Sequence, residues 1–139
     1  MNTPFNLLLA ATLICAASCQ NAPQKDTNQG PESVAGISLS FEYLGEDALG
    51  IPRSVPLLIE NGGATALDTV SVNLARIERE RYSEMGIPSD ALDACGGWYA
   101  GGGDYFYVVK RKGRAVVYQG YQEETQTDTG YHWTAIEVK

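Results

Sequence analysis

The chain is poor in the residues from which catalytic and metal sites are usually built. It has one histidine, His132, and three cysteines, Cys15, Cys19 and Cys95, in 139 residues. No Cys-x-x-Cys or His-x-x-x-His pair occurs, so no zinc shell is recognisable and no metal or cofactor is expected. No apolar run approaches the roughly 18 residues that span a bilayer, and no internal repeat or sustained heptad is present. Basic residues are scarce as well: ten Lys and Arg stand against seventeen Asp and Glu, a net charge of -7. Lys25, Asp26 and Glu32 account for -1 of this, which leaves -6 on residues 36–139. Nucleic acid and anionic membrane are therefore disfavoured as the principal partner, because both need a cationic surface. A basic protein or a cationic ligand suits the charge better, and mild acidity by itself also keeps an exported domain soluble.

What is present begins with the uncharged segment Leu7 to Ile14, followed by small Ala16, Ala17 and Ser18 and then Cys19. Its length and flank are those of a secretory signal peptide. Small residues directly before a cysteine resemble the lipobox of bacterial lipoproteins. That resemblance implies a diacylglyceryl thioether on Cys19, cleavage before it and acylation of the new amine, so that Cys19 becomes the first residue of the mature chain. More than one acyl chain is what stable anchoring requires, at about 0.8 kcal/mol per buried methylene. Gln20 stands where an inner-membrane retention signal of the enterobacterial kind has Asp, so the outer membrane is the expected destination. Without the resemblance, the segment reads as a plain secretion signal cut near Ser18, with Cys19 unmodified.

Residues 20–33 are rich in Gln, Asn, Pro and Gly with almost nothing apolar, and cannot offset the entropy of ordering. The chain thus divides into a signal peptide (1–18), a lipidated flexible tether (19–35) and one globular domain (36–139). About 100 residues suffice for a single compact core.

Within the domain, Ile37, Leu39, Phe41 and Tyr43 alternate with polar residues and predict a half-buried strand. Residues 55–59 predict a short strand with Pro56 near an edge, ended by the turn at Asn61, Gly62 and Gly63. A helix is predicted from Ala66 to Met85: Thr65 can cap it, Leu67, Val70, Leu74 and Ile77 follow helical spacing, Arg76 and Glu80 pair on its outer face, and Gly86 with Pro88 stops it. The competing reading takes residues 69–74 as a strand, as in an immunoglobulin-like sandwich, and confines the helix to 75–85. A short helical turn is expected over 89–94, then a glycine-rich loop over 96–104 that lacks the Lys and the spacing of a phosphate-binding loop. Residues 105–110 and 114–121 predict a hairpin, and 131–138 a third strand of a meander. The expected fold is α+β, one amphipathic helix on a mainly antiparallel sheet of four or five strands, with the β-sandwich as the alternative.

The candidate chemistry is thin. Cys95 is the one thiol left in the domain, and is a buried structural residue, half of an intermolecular disulfide, or a nucleophile in need of His132 as its base. Nearby Asp90 and Asp93 oppose activation. No catalytic residue is assigned. The aromatic residues Trp98, Tyr99, Tyr121 and Trp133 form the candidate binding surface, with cross-strand aromatic packing as the structural explanation of the same residues. Three function classes follow: an envelope lipoprotein that binds a partner without catalysis, a periplasmic inhibitor or immunity protein against a cationic hydrolase, and a Cys/His hydrolase.

Overall fold

A computed structural model describes residues 36–125 and 130–138, and the expected signal peptide, tether and lipidation at Cys19 lie outside them. Eight antiparallel strands form two sheets. The first sheet holds β1 (Ile37–Glu46), β2 (Pro52–Glu60) and β3 (Gly63–Ala66); the second holds β4 (Ala75–Arg76), β5 (Asp93–Tyr99), β6 (Gly102–Arg111), β7 (Arg114–Glu123) and β8 (His132–Ile136). Both sheets run in sequence order. Two successive meanders therefore stack face to face, without the strand exchange between sheets that defines immunoglobulin topology.

This overturns the α+β expectation. Among the described residues the regular helical structure after β1 is a single 3-10 turn, Arg79–Arg81, and neither 66–85 nor 75–85 is an α-helix. The spacing of Val70 and Leu74 fits a helix, but Val72 decides against it. Val70, Val72 and Leu74 are all buried while Ser71 and Asn73 are exposed, which is the period of an extended chain. Thr69, Val70 and Val72 are also β-branched and lose rotamer freedom in a helix. The segment is anchored by the bridge between Ser54 and Val70 and by the Leu74 N–H donating to the buried Ser54 Oγ at 3.3 Å.

Three two-residue hairpin turns carry most of the topology. Asn61 and Gly62, Ala100 and Gly101, and Lys112 and Gly113 each place two successive residues at positive φ. That is the type I′ geometry whose twist matches the flanking strands. Two loop expectations are corrected here. Gly96, Gly97, Gly102 and Gly103 lie in β5 and β6 and only Ala100 and Gly101 form the turn between them, rather than a loop over 96–104, and Asp93 and Ala94 open β5 rather than close a helical turn. Pro56 is not at a sheet edge, since β2 is the central strand of its sheet. Its carbonyl accepts from the Leu67 N–H at 2.9 Å on the side where β3 has just ended, so the missing N–H breaks no rung of the ladder.

The second sheet is covered on both faces. Cys95, Phe106, Val108 and Val117 meet Ile37, Leu39, Leu58, Val70, Val72 and Leu74 between the sheets. Ala94, Tyr107 and Val109 on the other face lie under Ile77, Tyr82, Met85, Ile87 and Ala91 from the irregular segment that joins β4 to β5. That second covering explains why β6 reads as a nearly continuous apolar run instead of alternating. Tyr43, expected on the core face of β1, is exposed: the register shifts between Tyr43 and Gly45, and the strand runs past the end of the core.

Candidate functional site

The end of the sandwich formed by the β1–β2 and β5–β6 turns carries the most exposed apolar surface of the described chain. Asp47 shapes the first turn, its Oδ1 accepting from Leu49 N at 2.8 Å and Ile51 N at 3.0 Å, and this leaves Leu49 82% exposed. The Tyr99 hydroxyl reaches across from β5 to the Gly50 carbonyl at 3.4 Å, joining the two turns. Beside them opens a cleft of about 330 Å³ lined by Ser71, Val72, Tyr99, Asp104, Tyr121 and Glu123, with Ala100 to Gly102 and Thr125 at its rim.

Strand register explains which side chains converge. Asp104 pairs with Tyr121 and Gly102 with Glu123 across β6 and β7, and paired residues share a face. Gly102 leaves room for the Tyr121 hydroxyl, which a β-carbon there would meet at 2.9 Å. The Glu124 N–H donates to the Gly101 carbonyl at 2.9 Å and holds the end of β7 against the turn. Asp104 is half-buried. Loss of hydration pushes its carboxyl above the usual carboxylate range, opposed by the Gln119 amide donating to Oδ1 at 3.4 Å. Loss of hydration and the neighbouring Glu123 raise the Tyr121 phenol as well. Two carboxylates and two tyrosines lining one cleft suit a cationic group, which is attracted by carboxylate charge and by aromatic rings.

Of the residues singled out in the sequence, Tyr99 and Tyr121 meet in this cleft, and Trp98 and Trp133 do not. Trp98 follows Gly96 on the opposite face of β5, paired with Gly103 and 47% exposed. Trp133 is packed into the second core. Its ring covers Gly120 directly across the strand pair, its indole N–H donates to the Met85 carbonyl at 2.8 Å, and it meets Tyr107 edge to face at 4.6 Å. Asp104, Glu123 and Ser71 carry no motif, and only the register between β6 and β7 brings the two acids beside the tyrosines.

Cys95 is a buried free thiol, pushed up by desolvation and then by Asp93. His132 is exposed on β8, with β6 and β7 between the two, a separation of roughly 14 Å at the usual strand spacing. The hydrolase reading required them to touch. Among the described residues no group of His, Cys, Asp or Glu is arranged to hold a metal ion. No protein-family model, curated protein or solved structure matches the chain.

Proposed function

We propose that this protein is a lipid-anchored envelope lipoprotein that binds a partner without catalysing a reaction, and that the cleft between Tyr99 and Tyr121 receives a cationic group of that partner. The address rests on the lipobox-like approach to Cys19. The binding role rests on one observation above the others: Tyr99, Tyr121 and the carboxylates of Asp104 and Glu123 line one cleft whose Asp104 loses hydration. The narrower reading of an inhibitor or immunity protein acting on a cationic hydrolase is supported by the same acidity.

Two measurements test the two halves. Intact mass of the membrane fraction is expected to give a chain beginning at Cys19 with added acyl mass, and Cys19→Ser is expected to leave soluble or unprocessed protein. Recovery of an unmodified mature chain from the soluble fraction of wild-type cells overturns the anchor. For the cleft, calorimetric titration with a hexa-arginine peptide is compared with its hexa-citrulline counterpart. Selective binding of the arginine peptide, weakened about tenfold by Tyr121→Ala or Asp104→Asn, is the expected result; equal binding of both peptides removes the cationic partner. Inhibition of a basic hydrolase that fades with added salt would single out the inhibitor form.

A further inference from the structure

The net acidity conceals a polar division of charge along the strands. Lys110, Arg111, Lys112 and Arg114 surround the β6–β7 turn, and all four are exposed. They are four of the ten basic residues of the chain, gathered in five positions. Arg111 is held by Asp90 through two hydrogen bonds of 2.7 and 3.3 Å, which keeps that carboxyl below the usual range. Among the described residues Glu60 and Glu137 are the other carboxylates at this end, so the cations outnumber the anions. The opposite end, around the cleft and the β1–β2 turn, carries Glu46, Asp47, Asp104, Glu123 and Glu124 against Arg53.

The basic end is also the end at which the tether joins the domain. Leu39 N donates to the carboxylate of Asp93, and Asp93 pairs with Val108, which fixes β1 and β6 at a common level. From that level Gly36 lies three residues back along β1 and the β6–β7 turn lies about four residues on along β6. The Tyr99–Gly50 contact at the other end shows that β1 runs with β5 and hence against β6, so at about 3.3 Å per step both reach roughly 10 to 13 Å in the same direction. The Asn61 N–H donating to the Gly36 carbonyl ties the chain there. The cleft sits at the far end.

We infer that the β6–β7 turn rests on phosphate-bearing anionic lipid headgroups of the leaflet that holds the anchor, and that this contact points the cleft away from the membrane. The inference depends on the anchoring proposed above. It does not make the membrane a partner in its own right, because a free domain of charge -6 is repelled at long range; the tether supplies the proximity and the turn supplies the orientation. Each Lys or Arg near an anionic surface is attracted over about one Debye length, on the order of 8 to 10 Å, which matches a single hairpin tip but not a whole domain.

The test uses the complete lipidated chain in vesicles, with a thiol-reactive fluorophore placed at Lys112→Cys or, at the far end, Leu49→Cys; buried Cys95 and acylated Cys19 do not compete for the label. Quenching by a nitroxide carried on the lipid headgroup is read in phosphatidylcholine vesicles with and without 30% phosphatidylglycerol, on the order of physiological anionic content. Expected is quenching at 112 several-fold greater than at 49 in the anionic vesicles. The difference should shrink at 0.5 M salt, roughly a 4 Å Debye length, and be lost when Lys110, Arg111 and Arg114 are replaced by Gln. Equal quenching at the two positions, or a difference indifferent to phosphatidylglycerol, overturns the orientation while leaving the anchor intact. Protein that fails to float with phosphatidylcholine vesicles overturns the anchor, and the orientation falls with it.

Discussion

Cys95 illustrates how far a residue's neighbours decide its chemistry. Buried between the sheets and beside Asp93, the thiol is held in its protonated form, the opposite of what a nucleophile needs. Reaction with a thiol reagent is expected to be slow in native buffer and fast in denaturant, and Cys95→Ser should cost about 1 to 3 kcal/mol by burying a hydroxyl in an apolar setting. The tryptophans give the sharper contrast. Trp133 fills the space over Gly120 and satisfies the Met85 carbonyl, so Trp133→Ala should cost about 3 kcal/mol or more in equilibrium unfolding. Trp98 stands on an exposed sheet face and Trp98→Ala should change stability by less than about 1 kcal/mol. Comparable losses at both positions would show that Trp98 is also a core residue. Both tryptophans were legible in the sequence as prominent aromatics. Their separation from the Tyr99 and Tyr121 cleft was not, because the face of a strand residue depends on register and Trp98 and Tyr99 are neighbours in sequence.

Among the elements, the segment before β4 shows where local pattern and tertiary packing part. Residues 70–74 run against the inner face of β5, where Gly97 admits them: a β-carbon on Gly97 would lie 2.2 Å from the Asn73 carbonyl oxygen. Gly97→Ala is therefore expected to cost about 2 to 3 kcal/mol through displacement of backbone. Gly63→Ala, whose added carbon would meet only ordinary contact at 3.5 Å, should fall within about 0.5 kcal/mol of wild type. Chemical denaturation of the two variants checks both, and a neutral Gly97→Ala would mean that the segment is free to move off the sheet. The predicted helix failed because Val70 and Leu74 share a face in an extended chain as well as in a helix, and buried Val72 between them selects the extended chain. The β6–β7 hairpin, by contrast, was legible to within three residues at either strand end, since a glycine between two aromatic and β-branched runs has few other solutions.

Across the whole molecule, a buried carboxylate ties the two sheets together. Asp93, buried on β5, accepts from Arg76, from Leu39 N at 2.9 Å on the facing sheet and from Ala94 N at 3.0 Å. Removing the carboxylate takes the acceptor from two backbone donors and the counter-charge from Arg76, and Asp93→Ala is expected to cost about 3 kcal/mol. Arg76 is partly exposed and can turn to water, so Arg76→Gln should cost less. Urea unfolding that remained unchanged in Asp93→Ala would show that apolar contact alone aligns the sheets.

Composition and short-range pattern by themselves determined that residues 36–139 carry a net acidic charge and that the last third of the chain is an antiparallel meander. Each of these depends on residue inventory or on contacts a few positions apart. The N-terminal resemblance to a lipobox remains a reading of the sequence. Tertiary structure alone decided between α+β and the alternative sandwich in favour of two sheets, that Asp104 and Glu123 share a cleft with Tyr99 and Tyr121, that Cys95 and His132 are kept apart, and that Lys110, Arg111, Lys112 and Arg114 gather at the end of the sandwich where Gly36 lies. The physical reason is register: alternation gives each strand two faces, but which face is inward, and what stands opposite, is set by pairing with strands far away in the chain.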